Sequence, residues 1–421
     1  MRVCVAGLWH LGSVTAACLA HVGHDVVAFD EDAEVVEKLS GGAAPVAEPG
    51  LDEVLRGGLS AGKLTLTGDR AAALAGADVL WIAYDTPVDN DDNADVAWVG
   101  DRVHELLAER NEETFVVVSS QLPVGTTRAF GVERIAYSPE NLQLGRAVDA
   151  FLQPERVVVG IDAATDRKPL ERLFGPITER IEWMDIESAE LTKHALNAFL
   201  ATSIAFANEI AVLSERVGAD ARDVARGLKS DRRIGPRSYL SPGAAFAGGT
   251  LARDVKFLTE VARREGVAAH LLSAVRPSND EHLHWPHRAV ASLLDGERGP
   301  VAVWGLVYKA GTDTLRRSSA LELCRTLARD GIVVRAHDPA VHTLPADIPS
   351  GVTLCATPED AVEGAQALVV ATPWPEFRSV TPGEVISRMT SPNVVDAAGA
   401  LAETLGSDER IRYLTVGKAR A

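Results

Sequence analysis

The sequence predicts an α/β protein made of two doubly wound parallel sheets joined by a long central helix. Three observations carry this. Short Val-rich apolar runs alternate with helical patterns from Arg2 to about Gly160, and the same alternation resumes near Pro300. Between the two halves, Ser188–Val217 holds neither Gly nor Pro and is dense in apolar residues. A helix of that length spans about 45 Å at 1.5 Å per residue.

In the first half, Arg2–Ala6 reads as a strand, Gly7–Gly12 as a turn and Ser13–His21 as a helix. Asp25–Phe29 is a second strand that ends at Asp30. Further strands are expected at Leu64–Leu66, Val79–Tyr84, Phe115–Ser119, Ile135–Tyr137 and Val157–Gly160. The central segment is apolar on every face, which predicts a spine between domains or a dimer core. A further helical stretch runs from Arg253 to about Arg264. In the second half, strands are expected at Val301–Gly305, Val333–His337, Ala367–Thr372 and Val394–Asp396, with a helix over Ala320–Arg329. The Gly- and charge-rich stretch Asp295–Gly299 is the linker. The expected domains are 1–186, 187–295 and 296–421, the outer two Rossmann-like and the middle one helical.

Composition narrows the function. The 421-residue chain carries a net charge of −17 and no long basic run, which argues against nucleic acid or anionic membrane as partner. The N-terminal apolar stretch is interrupted by His10, Gly12 and His21 and so does not read as a signal peptide. No apolar run of spanning length is evident, and Cys4, Cys18, Cys324 and Cys355 lack metal-ligand spacing. A soluble, cytoplasmic enzyme without a metal is the expectation.

The turn GLWHLG is a dinucleotide fingerprint with one member replaced. Gly7 and Gly12 stand at the first and third glycine positions, while Trp9 stands at the second, where a pyrophosphate nears the backbone. Asp30, 18 residues beyond Gly12, can take a ribose 2′-hydroxyl, which favours NAD over NADP.

Other segments identify a family by resemblance. AFAGGTLARD (Ala245–Asp254) resembles the active-site segment of the UDP-glucose/GDP-mannose dehydrogenases, in which a cysteine stands where this chain has Thr250. AEPGL (Ala47–Leu51), TPVD (Thr86–Asp89) and LPVGTT (Leu122–Thr127) are similar to the family's N-terminal landmarks. SPENLQLG (Ser138–Gly145) and SAELTKHALNAFLATSIAFANE (Ser188–Glu209) match it closely, and GLVYKAGTDTLRRSSAL (Gly305–Leu321) and ATPWPEF (Ala371–Phe377) extend the likeness to nearly the whole chain.

The resemblance implies oxidation of a nucleotide-linked sugar at C6, with NAD as cofactor. It implies that Lys193 and Asn197, i and i+4 on one helix, stabilise the developing oxygen anion. Glu140 and Asp254 join them in the catalytic set, and Asp254 is read as a first-turn helix residue that orients a water or only meets the helix dipole. Thr86 and Gln121 fall at the cofactor, and Asn208 is a structural hydrogen-bonder. Arg233 is expected to reach the substrate of a neighbouring subunit, and Lys309 and Arg316 to hold the diphosphate of a UDP-hexose.

The departures from the family pattern cluster. Thr250 replaces the cysteine that captures an aldehyde, and a threonine hydroxyl is a weak nucleophile without a base. Gln121 replaces a water-positioning threonine, Leu144 replaces a second glutamate, Asp85 replaces a glycine and Thr314 replaces one of a pair of acids. Three readings follow. The first is an NAD-dependent dehydrogenase that stops after one two-electron oxidation and works as a homodimer. The others are a redox-neutral epimerase that keeps its NAD and a nucleotide-sugar-binding protein without catalysis.

Overall fold

The computed structural model describes residues 1–89, 93–140, 142, 144–247 and 249–418. Internal contacts divide the chain into two compact units, Met1–Leu196 and Asn197–Ala421. The division falls inside one continuous helix, Ile186–Val217.

The first unit is an eight-stranded sheet. Its strands are β1 (Arg2–Ala6), β2 (Asp25–Phe29), β3 (Leu64–Thr67), β4 (Val79–Ile82), β5 (Phe115–Val118), β6 (Ile135–Tyr137), β7 (Val157–Ile161) and β8 (Ile181–Met184), in the order β3-β2-β1-β4-β5-β6-β7-β8. β1, β4 and β5 are buried along their length apart from Arg2, which explains their near-continuous apolar sequence. The strand order reverses direction between β1 and β4, the position where open α/β sheets bind ligands.

One pairing departs from the expected all-parallel set. β6 and β7 run antiparallel, with Tyr137 opposite Gly160. The segment between them therefore stays at one end of the sheet. That end also carries the turns after β1, β2, β4 and β5, so Glu140 joins them there.

The helix after β1 spans His10–His21 and begins three residues earlier than the sequence suggests. Ser13 N–H already donates to Trp9 O at 3.1 Å, so the turn passes into helix without a spacer. Ten of the twelve helix residues are buried against the sheet, and the run of small side chains (Gly12, Ala16, Ala17, Ala20) lets them approach it.

The second unit opens with helices Ala221–Ser230, Thr250–Arg264, His270–Leu283 and Trp285–Leu294, packed with the distal part of the long helix. A six-stranded, wholly parallel sheet follows: β9 (Val301–Trp304), β10 (Val334–His337), β11 (Val352–Leu354), β12 (Ala367–Val370), β13 (Asn393–Asp396) and β14 (Arg412–Leu414), ordered β11-β10-β9-β12-β13-β14. β11 and β14 are edge strands of three residues each.

The long helix is not buried all round. Phe199, Phe206 and Leu213, at seven-residue intervals, are 68%, 46% and 59% exposed, and Val217 is 76% exposed. Among the described residues it is also the one helix long and apolar enough to cross a membrane, where the sequence reading saw no such run. The buried side of the same helix mixes small apolar residues such as Ala189, Ala201 and Ala211 with Glu190, Lys193, His194 and Asn197.

Candidate functional site

Around β1 the local chemistry is that of an anion cradle. Gly7 has φ of +87°, and a Cβ there would lie 2.6 Å from the Tyr84 ring. A Cβ on Gly12 would fall 1.6 Å from the Gly7 carbonyl oxygen, so only glycine lets the helix sit this close to the turn. Three carboxylates converge on this turn. Asp30 accepts Leu8 N–H at 2.6 Å, Asp85 accepts Leu11 N–H at 3.1 Å, and Glu48 is hydrogen-bonded to the His10 ring at 3.0 Å. Glu48 is buried and also accepts Gly145 N–H and Ala147 N–H, so it ties the turn to the end of the Ser138–Gly145 segment.

The positive-φ glycine, the helix start directly after it and an acidic residue at the end of β2 fit a dinucleotide. Trp9 projects from the turn with half its surface in solvent. Acidic neighbours reinforce the choice against a 2′-phosphate, since Glu31 accepts the Tyr84 hydroxyl at 2.9 Å and Asp32 caps the next helix.

Thr86 and Gln121 come together at the same sheet edge. Both are buried, and the Thr86 hydroxyl donates to the Gln121 carbonyl at 2.8 Å. The loop after Gln121 is anchored by the long helix. Glu190, wholly buried, accepts Gly125 N–H at 2.6 Å and Thr127 N–H at 2.9 Å, and the His194 ring meets Leu122 O at 3.0 Å. Because a carbonyl only accepts, His194 Nε2 carries the proton in this contact.

One turn after Glu190, Lys193 is 6% exposed. Its ammonium donates to Glu140 Oε1 at 2.8 Å and to Glu140 O at 2.7 Å. The other oxygen of Glu140 accepts Leu142 N–H at 2.7 Å. A lysine on a largely apolar helix is held inward only because a carboxylate and a carbonyl satisfy it.

In the second unit, Asn197 donates its side-chain amide to Asp254, and both residues are buried. The helix that carries Asp254 starts at Thr250, not Arg253. Asp254 thus lies in the second turn and is not the first-turn helix charge the sequence suggested; its carboxylate answers Asn197 instead. Thr250 is the first helical residue, behind Gly249.

Thr250 opens onto a cavity of about 680 Å³, within the range of small-molecule sites. Lys309 lines it too, and so do three groups the sequence reading passed over: Lys229, Arg237 and Tyr239. The signal available was their position beside the DRRIG segment, in a chain stretch dense with cations. Among the described residues lining the cavity there is no cysteine, histidine or carboxylate. The four cysteines lie elsewhere, and burial pushes the thiols of Cys4, Cys18 and Cys324 up to about 12 and raises that of Cys355. None of the four cysteines is among the residues lining the cavity.

Arg233 and Arg316 do not line this cavity. Arg233 is solvent-facing, with its guanidinium 2.7 Å from Asp231, and Arg316 is exposed in the loop after β9. Asn208 is structural as expected, accepting Gly243 N–H at 3.0 Å. The second sheet repeats the logic of the first: Gly305 has φ of +85°, and Asp338, after β10, accepts Leu306 N–H and Val307 N–H at 2.6 and 3.0 Å.

Comparison with known proteins agrees with this architecture. The models of the UDP-glucose/GDP-mannose dehydrogenase family match in order: the NAD binding domain over residues 1–178, the central domain over 187–281 and the UDP binding domain over 302–403. The UDP-glucose 6-dehydrogenase of Pseudomonas aeruginosa is 36% identical, over 100% of this chain and 98% of its own. The UDP-glucose 6-dehydrogenase of Rhizobium meliloti is 32% identical, over 99% of this chain and 100% of its own. A UDP-glucose dehydrogenase from the archaeon Pyrobaculum islandicum superposes with a TM-score of 0.86 at 30% identity, covering 99% of this chain and 98% of that one. Three family domains in sequence, a glycine turn that fits NAD and a nucleotide-sugar domain behind it leave one conclusion: the chain belongs to the UDP-glucose/GDP-mannose dehydrogenase family.

Proposed function

We propose that this protein oxidises a UDP-hexose at C6 in a single two-electron step and releases the aldehyde. The observation that carries the reading is Thr250, which opens its helix at a cavity whose described lining residues include no thiol, imidazole or carboxylate. An aldehyde formed there meets no thiol, and an unassisted threonine hydroxyl stays protonated and does not capture it.

NAD, bound at the first unit, supplies the hydride acceptor. The chain's own residues do the rest. Lys193 and Asn197 polarise the C6 oxygen, and the alcohol proton passes to a water ordered by Asp254. Glu140 holds the Lys193 ammonium extended and fixes its direction. Lys309, with Lys229 and Arg237, supplies cations for the diphosphate, and Tyr239 and Phe246 offer flat apolar faces in the same cavity. Arg316, outside the cavity lining in the exposed loop after β9, would reach the diphosphate from that loop, and Arg233 acts on the substrate of a second copy.

The exposed seven-residue stripe Phe199, Phe206 and Leu213 supports a homodimer that buries it. Four unpaired cysteines suit a reducing cytoplasm, and the engaged polar side of the long helix supports a soluble role over a membrane one.

A second reading, nucleotide-sugar binding without turnover, is favoured by one observation: the Asp85 carboxylate at the cofactor turn. Incubation with NAD and a panel of nucleotide sugars, with an aldehyde-trapping hydroxylamine present, separates the two. An oxime of the oxidised sugar supports the single oxidation; sugar-nucleotide binding with no product supports the binder.

A further inference from the structure

The turn Gly7–Gly12 ends in a helix whose first N–H groups have no partner within the helix. In dinucleotide-binding folds those groups and the positive end of the helix dipole receive the pyrophosphate. Here Leu11 N–H, in the first turn of His10–His21, is already taken. Asp85 Oδ2 accepts it at 3.1 Å. Asp85 follows β4, the strand next to β1 across the point where the sheet order reverses, so its carboxylate arrives from the ligand side of the sheet.

We propose that Asp85 is an internal anion standing in the pyrophosphate position of the cofactor site, which NAD must displace in order to bind. Three features of the turn support this. A single N–H cannot serve a carboxylate and a phosphate oxygen together at full strength. Both groups are anionic and compete for the same dipole end. Asp85 is solvent-exposed, so water can receive its carboxylate once an incoming phosphate takes the N–H. The neighbouring carboxylates do not share this role: Asp30 holds Leu8 N–H, on the ribose side of the turn, and Glu48 engages the His10 side chain.

The inference rests on the NAD-binding domain and not on the single-oxidation reading, so either can fail alone. A unit charge a few ångström from a pyrophosphate at a partly exposed site is worth about tenfold in Kd. The test is NAD binding to the full chain without sugar, by calorimetry and by quenching of tryptophan emission. Two variants are compared with the parent: Asp85→Gly, which removes the side chain, and Asp85→Asn, which keeps its shape and can fold where the glycine variant does not. Adenosine, measured as a competitor, carries no pyrophosphate and serves as the internal control.

The expected result is NAD binding about tenfold tighter in Asp85→Gly and severalfold tighter in Asp85→Asn, with adenosine unchanged. Unchanged or weaker NAD binding in a folded variant overturns the proposal. So does adenosine affinity that rises by the same factor as NAD affinity, since the gain would then have nothing to do with the pyrophosphate.

Discussion

Asn197 and Asp254 are joined by a buried side-chain hydrogen bond, four residues after Thr250 on the same helix as Asp254. The contact fixes the carboxylate's direction in the second unit and depends on no cysteine. On the proposed reading, the carboxylate that orients a water is thus held independently of the group at position 250.

Asp254→Ala leaves the buried Asn197 amide without this acceptor. Stability is expected to fall by about 1–3 kcal/mol. Turnover should fall by about a hundredfold or more as the water loses its orienting carboxylate. Denaturant melts and NADH formation at saturating sugar nucleotide measure the two effects separately.

Removing Lys193 has a different signature. Its ammonium and the Glu140 carboxylate are both largely withdrawn from water, so Lys193→Ala strands a buried charge at a cost of about 3–5 kcal/mol. Lys193→Met, paired with Glu140→Gln, removes both charges and should recover most of that stability while activity stays lost. A double variant that regains turnover would show that the lysine serves the fold alone.

Thr250→Cys restores the thiol but not the residues that would release its product, since Gln121 and Leu144 remain. The expected outcome is a second NADH per active site in a burst, followed by arrest. Intact-protein mass should rise by one sugar-nucleotide acyl group, the thiol hydrogen having been lost. Steady formation of the free acid by this variant would show that Gln121 and Leu144 do not limit hydrolysis.

Acid should loosen both units through histidines held neutral. Burial lowers the pKa of His24, whose ring meets Leu173 O, and of His282, whose ring meets Gly243 O, below the ordinary value of 6.5. The unfolded chain then binds more protons than the folded one below pH 6.5. Stability is therefore full above that pH and is lost as the pH falls through the depressed folded values. Thermal midpoints should be flat from pH 7 to 8 and drop below 6.5, and His282→Gln should flatten part of the drop.

Much of this site was legible in the chain. Gly7, Gly12 and Asp30 mark the turn after β1 by spacing, and Lys193 and Asn197, set four residues apart, are both buried on the long helix. What the sequence did not carry is partnership. Nothing in the spacing of Asp85 says that its carboxylate crosses from β4 to Leu11, because the contact is made by a side chain between distant segments. The start of the helix at Thr250 was hidden by Gly249, a poor helix former that stands at the N-cap position here. Strands β11 and β14 escaped notice because three-residue edge strands carry too little pattern. The reversal between β6 and β7 depends on a long connection that turns back at one end of the sheet, and apolar content alone does not encode direction. The stripe Phe199, Phe206 and Leu213 is exposed in this chain, where the sequence suggests a domain spine or a dimer core, since apolar composition alone does not tell which face is covered.

The measurement that bears most directly on the central claim is the count of NADH released per sugar nucleotide consumed, taken with the mass of the product. One NADH and a product two mass units lighter than the substrate is the predicted result, an aldehyde formed without a covalent stage. Two NADH and a product fourteen units heavier, the acid, would contradict it, and Thr250 would then mark only a different route to the family's full oxidation.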